Sequence, residues 1–176
     1  EKGHCYVIPL LEQVAQAMPY EIRANPKSST GRLDLFTRLL ANHNGRFELV
    51  APGYTGPLYL EVVPRSFPVR VKTGLSLCQI RFGEGKAVLD DDELRAEYER
   101  GPLLFRDDGS PIPLSDARIN NGLCMGVSIK RDKDLREAIG FVARRYTGVL
   151  DMSEEGVHLH HEFFDLIHEP INGHYI

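Results

Sequence analysis

A chain of 176 residues with 42% hydrophobic and 26% charged side chains has the balance of a folded globular protein of one or two domains, not of a disordered segment. A net charge of -4 argues against duplex nucleic acid as the main partner, because such proteins carry a basic excess, yet a few cations suffice for a small anionic ligand. No apolar run approaches the roughly 20 residues of a transmembrane helix, so no membrane role is expected.

Residues 4–10 (HCYVIPL) are apolar and β-prone and predict a strand. A short helical turn or loop is expected over 11–18, then a second strand over 20–24 (YEIRA). Asn25-Pro26 marks a turn, after which Ser28 or Ser29 is placed to cap a short helix carrying Leu33, Phe36, Leu39 and Leu40 at helical spacing. The pattern then changes to short strands divided by turn residues: 46–50, 57–63, 67–72 and 75–82, with the turn APGYTG at 51–56. That spacing predicts a mainly β barrel or sandwich. Residues 90–99 read as a charged, capped helix, 101–122 as a long connection and 123–129 as a strand. Residues 153–168 read as a helix with Ser153 as N-cap and Glu154 and Glu155 in its first turn. GHCYVI at 3–8 is echoed by GHYI at 173–176, as if a second copy of one unit were beginning.

The segment Lys27-Ser28-Ser29-Thr30-Gly31-Arg32 gathers two cations, three hydroxyls and a glycine where a turn enters a helix. Free backbone amides at a helix start favour an anion, Lys27 adds a point charge, and Arg32 adds a planar fork suited to bidentate contacts. The plainer alternative is a helix cap with surface charges. On the strand 57–63, Leu58, Leu60 and Val62 face one way and Tyr59, Glu61 and Val63 the other. Glu61 thus lies in an apolar strand beside an aromatic, where partial burial is expected to raise its pKa and suit it to moving protons near neutral pH. The alternative is an edge-strand carboxylate in water.

Taken in order, KSSTGR at 27–32, APGYTG at 51–56, LYLE at 58–61 and GLSLCQIRF at 74–82 resemble the dCTP deaminase and dUTPase superfamily. The likeness is nearest to the long deaminases that carry two tandem copies of the fold, and YTGVLD at 146–151 with the closing echo fits that arrangement. The resemblance implies a distorted β-barrel of the dUTPase-like type, with the active site where copies or repeats meet. It also separates two branches. A dUTPase would use an Asp in the turn that here reads VAPGYTG, and Ala51 cannot activate water; the deaminase branch needs the Glu that closes LYLE, and Glu61 is present. The implied activity is deamination of dCTP to dUTP and ammonia, with a dUTPase or bifunctional enzyme, or a non-catalytic nucleotide-binding module, as alternatives.

The same resemblance implies the roles. Glu61 would take a proton from the attacking water and return it to the ring nitrogen and the leaving amine, Ser28 would hold the water, and Arg32 would position Glu61 and stabilise charge. Lys27, Ser28 and Ser29 would meet the phosphates, with Thr30 and Gly31 completing that turn. Tyr59 and Leu60 would line the base and sugar pocket. By the residues alone, Gln79 lies in a strand that reads as buried and either reads a base edge or satisfies a backbone group. Magnesium would ride on the triphosphate rather than sit in a protein cage.

Other motifs fail on chemistry. His160-His161-Glu162 is followed by no cysteine, so the zinc deaminase set is incomplete. The HExxH zinc motif breaks at Asp165, although His161, Asp165 and His168 would share a face of the expected helix. Gly83-Glu84-Gly85-Lys86 lacks the other parts of a phosphate-binding loop. Cys5, Cys78 and Cys124 are odd in number, without CxxC spacing, which disfavours a disulfide framework and suits a reducing, cytoplasmic setting. The expected organisation is a catalytic unit over 1–89 lacking its N-terminal part, a connection over 90–122, and an inter-repeat segment over 123–176, in a longer protein.

Overall fold

The computed structural model describes residues 1–169 apart from Glu84, Lys86, Ala87, Asp132, Leu135 and Glu155. Glu84 and Lys86 of the GEGK segment and the closing GHYI echo therefore lie outside the described residues. The chain divides into two compact units, Glu1–Glu84 with Lys130–Ile176, and Gly85–Ile129.

Period-two burial builds the first unit. Its elements are β1 (Tyr6–Val14), β2 (Glu21–Pro26), α1 (Ser28–Gly31), β3 (Leu35–Ala41), β4 (Leu49–Val50), β5 (Gly56–Pro64), β6 (Val69–Arg70) and β7 (Cys78–Gly83). All of these strands but β6 form two antiparallel three-stranded sheets, β1-β5-β3 and β4-β2-β7. Val14, Ile22, Ala24, Leu39, Ala41, Val50 and Leu58 make one buried cluster, so both sheets turn their apolar faces to the same core. This is the mainly β architecture expected. As predicted, Leu58, Leu60 and Val62 are the buried set of β5, at 5%, 2% and 3% exposed.

The helix expected after Asn25-Pro26 is a correction. Only one turn forms, over Ser28–Gly31, capped by the backbone at Lys27 with no side-chain bond from Ser28 or Ser29. Leu35–Ala41 is a strand instead. Leu33, Phe36, Leu39 and Leu40 fit a helical stripe, but Leu35, Thr37, Leu39 and Ala41 fit a two-residue stripe equally well. The second pattern buries all four residues and pairs seven backbone positions with β5; tertiary pairing decides between two local readings. Similarly, 11–14 continues β1 rather than turning, and the expected strands at 46–50, 67–72 and 123–129 shrink to two-residue pairings.

The rest of the first unit is β10 (Gly140–Ala143), β11 (Leu150–Asp151), α3 (His160–Phe163) and β12 (Phe164–Ile167). The helix expected over 153–168 is thus a single turn followed by a strand paired with β10. Ser153 does not cap it; its amide and hydroxyl both donate to Asp151 Oδ1, at 2.9 and 2.5 Å. The reason lies in Phe163 and Phe164, which both pack edge-on to the buried Phe67 ring, at 5.1 and 5.2 Å between centroids. His161, Asp165 and His168 therefore share no helix face.

In the second unit α2 (Asp91–Arg100) matches the charged helix expected. Asp90 accepts from the Glu93 amide at 3.0 Å and its own amide donates to Glu93 at 2.9 Å, a reciprocal capping box. Asp91 then accepts the amides of Asn121 and Gly122, at 3.0 and 2.9 Å. These close the hairpin between β8 (Arg118–Ile119) and β9 (Leu123–Cys124). Asp90→Ala is expected to cost this unit about 1 kcal/mol, seen as a lower urea midpoint and faster amide exchange over 91–100.

Candidate functional site

Register sets the site. Arg38 of β3 and Val7 of β1 lie directly opposite Glu61 of β5, so the carboxylate stands on the middle strand of its sheet, on the face turned away from the core. Side chains directly opposite in an antiparallel pair are neighbours. Arg38 Nε and Nη2 both donate to Glu61 Oε2 at 2.6 Å, and Cys5 Sγ donates to Oε1 at 3.3 Å. The pair is only partly wet: 33% of the Arg38 side chain and 13% of that of Glu61 are exposed. The guanidinium lies 3.6 Å above the centre of the Phe47 ring and 5.0 Å from that of Phe36, a cation–π stack that fixes its plane.

These contacts reverse the expected direction of the Glu61 pKa. The Arg38 hydrogen bond is the largest influence and lowers it, burial opposes, and the Cys5 bond lowers it further. Glu61 in turn raises Arg38 and, chiefly through its hydrogen bond, the Cys5 thiol. Cys5 is held as a thiol that donates, not as a nucleophilic thiolate. Burial pushes Glu48 up; one of its oxygens accepts the Leu39 amide at 3.1 Å, and the other is buried without a partner among the described residues.

The Lys27–Arg32 turn occupies the end of β2. Lys27 is half-buried and anchored by its amide to Leu77 O at 3.0 Å; Ser28, Ser29, Gly31 and Arg32 are exposed. Thr30 is 1% exposed, its hydroxyl unpartnered among the described residues, so two of the three hydroxyls face outward. Arg32 makes no side-chain hydrogen bond or ion pair among the described residues, and the guanidinium on Glu61 belongs to Arg38. Turn and carboxylate share no hydrogen bond there either. Tyr59 shares the Glu61 face and is half-buried. Leu60 points into the core, leaving only its backbone for a ligand. Gln79 is exposed on β7 opposite Asn25 and is not part of a buried strand face.

The Ala51–Tyr54 turn has the geometry its sequence asks for. Pro52 precedes Gly53 at φ +81°, and the Tyr54 amide donates to Ala51 O at 3.2 Å, the positions of a type II turn. Tyr54 then bonds Pro57 O at 2.6 Å and accepts the Asn42 amide at 3.3 Å, tying the turn to the start of β5. Among the described residues no group of three His, Cys, Asp or Glu is arranged to hold a metal, no helix is long and apolar enough to cross a membrane, and the three cysteines are free.

Two facing sheets, with a carboxylate on one outer face and a basic turn at the end of a strand of the other sheet, make this a mainly β protein, the class that the dUTPase-like resemblance implies. The solved structure of 2'-deoxycytidine 5'-triphosphate deaminase from Agrobacterium tumefaciens superposes with a TM-score of 0.76 and 33% identity, over 95% of this chain and 47% of that one. Residues 1–86 match the model of the 2'-deoxycytidine 5'-triphosphate deaminase N-terminal domain, and residues 90–176 that of its C-terminal domain. The chain belongs to the 2'-deoxycytidine 5'-triphosphate deaminase family, and it spans about half the length of the matched structure. No match was found among curated proteins.

Proposed function

We propose that this chain carries the catalytic site of a hydrolytic dCTP deaminase, which converts dCTP and water to dUTP and ammonia. The observation that carries the reading is Glu61, a carboxylate on a mid-sheet strand with both oxygens held, in a chain of this family. Ala51 supports the deaminase branch over the dUTPase one, because a methyl group cannot orient an attacking water.

As a carboxylate held low by Arg38, Glu61 starts in the form needed to take a proton from water as it attacks C4 of the cytosine ring. The proton then passes to ring N3, and a second transfer releases the amine. For that acid role Glu61 must lose part of its hold on Arg38, which binding of the base over this face would bring about. Ser28 holds the water, Arg32 stabilises charge on the intermediate, and Lys27, Ser28 and Ser29 receive the phosphates. The turn and Glu61 would act together across an interface between copies or repeats, which accounts for the lack of direct contact between them. Two cations and hydroxyls suit phosphate oxygens rather than a metal ion, so magnesium would arrive on the triphosphate.

The echo of GHCYVI at 173–176 and the run YTGVLD at 146–151 support an arrangement of two tandem copies, with 1–89 as the catalytic unit, 90–122 connecting and 123–176 leading into the next copy. Free cysteines suit a cytoplasmic enzyme. The test is ammonia release from dCTP with magnesium by the full-length parent. Release with a dUTP product supports the reading. An enzyme inert to dCTP that splits dUTP would place it in the other branch, and tight dCTP binding without turnover would make it a nucleotide-binding module.

A further inference from the structure

On the outer face of the second sheet, Arg23 of β2 and Arg81 of β7 are directly opposite one another. Like charges in that register destabilise a sheet. Each is only partly relieved: Arg23 by Glu21 at 2.6 Å, Arg81 by the neutral oxygen of Asn25 at 2.6 Å. A third guanidinium, Arg46, reaches the same place from the β3–β4 loop and makes no side-chain bond of its own among the described residues. These three, with Asn25, Phe47 and Glu48, line a cleft of about 240 Å³. The one carboxyl group among these lining residues is Glu48, whose pKa burial raises.

We propose that this cleft is a second anion site, which takes a phosphate chain between Arg23, Arg46 and Arg81. Three arginines line one small space, and planar guanidinium forks suit phosphate oxygens. The volume falls below the roughly 300 Å³ at which pockets for drug-sized ligands begin, so it admits inorganic pyrophosphate or the phosphate end of a larger molecule, not a whole nucleotide. It is separate from the Lys27–Arg32 turn. Arg23 lies within β2 and Lys27 just past its end, four positions on, or about 13 Å along the chain at the usual rise per residue, further than a pyrophosphate is long. The cleft also shares Phe47 with the Arg38 stack, so an occupant would press on the residue that lies under the Glu61 partner.

The test is calorimetric titration of the full-length parent with inorganic pyrophosphate, at low and high salt. A Lys27→Gln/Arg32→Gln variant should still bind pyrophosphate. Adding Arg46→Gln, and then Arg81→Gln, should weaken that binding by about tenfold at each step, the worth of one charge-assisted hydrogen bond. Arg46→Gln alone serves as the conservative variant, since that side chain has no bond to lose, and circular dichroism checks its fold. If the arginine substitutions leave pyrophosphate affinity unchanged, or if Lys27→Gln/Arg32→Gln abolishes all binding, the second site does not exist. The deaminase reading stands or falls separately, on ammonia release.

Discussion

Glu61→Gln is expected to lower kcat for dCTP deamination by about 10²- to 10⁴-fold while dCTP affinity changes only a few-fold. The substitution is nearly isosteric. The Gln carbonyl oxygen can still accept from Arg38, and its side chain keeps the same place on β5, so the sheet pairing around it is unaffected. What it removes is the group that accepts the water's proton and hands it on. A role limited to positioning would show instead as a raised KM with kcat preserved. Rapid-quench turnover together with equilibrium binding of dCTP separates the two. A kcat within tenfold of the parent would mean that another group shuttles the proton, and the reading of LYLE as the catalytic strand would fail with it.

The strand bearing Glu61 was legible because its signal is redundant. Leu58, Leu60 and Val62 alternate with Tyr59, Glu61 and Val63, Gly56 and Pro64 bound the run, and burial follows the alternation residue by residue. The capped start of α2 was equally plain, since Asp90 and Glu93 satisfy each other without help from the rest of the chain. Arg38 was hidden because its segment, LFTRLLA, carries two hydrophobic periods at once and only the strand partner selects one. Had the two-residue period been followed, β3 and β5 as antiparallel neighbours would have offered Arg38 as a cross-strand partner for Glu61. Cys5 carries no local signal beyond its failure to complete a disulfide set. Its contact depends on β1 lying beside β5, fifty-six positions away in the chain, which no local pattern encodes. Late in the chain, SEEGVHLHHEFF looked helical from charge and capping alone, and the competing demand of Phe67 for two adjacent rings lies outside any local window.

Arg38→Met is expected to move the acid limb of the kcat/KM profile to higher pH, and Arg38→Lys to move it less. The acid limb reports protonation of the free enzyme's base. With Arg38 present, its hydrogen bond outweighs burial and holds Glu61 below the ordinary carboxylate range; without it, burial becomes the leading influence and the pKa rises. Each unit of that movement costs about tenfold in kcat/KM at pH values below the limb. Lysine restores the charge but not the paired Nε and Nη2 donors, nor the flat stack on Phe47. The same residue governs acid stability. A carboxylate whose folded pKa is depressed contributes stability that is present above its unfolded pKa and lost as pH falls through the folded value. The methionine variant forfeits that contribution, so its thermal midpoint should depend less steeply on pH across the acid range than the parent's. If the stability profile flattens while the kcat/KM limb stays in place, Arg38 holds Glu61 only in the resting enzyme and has left it before the proton is taken. Among the described residues, the thiol of Cys5 would then be the side chain that still steadies the carboxylate.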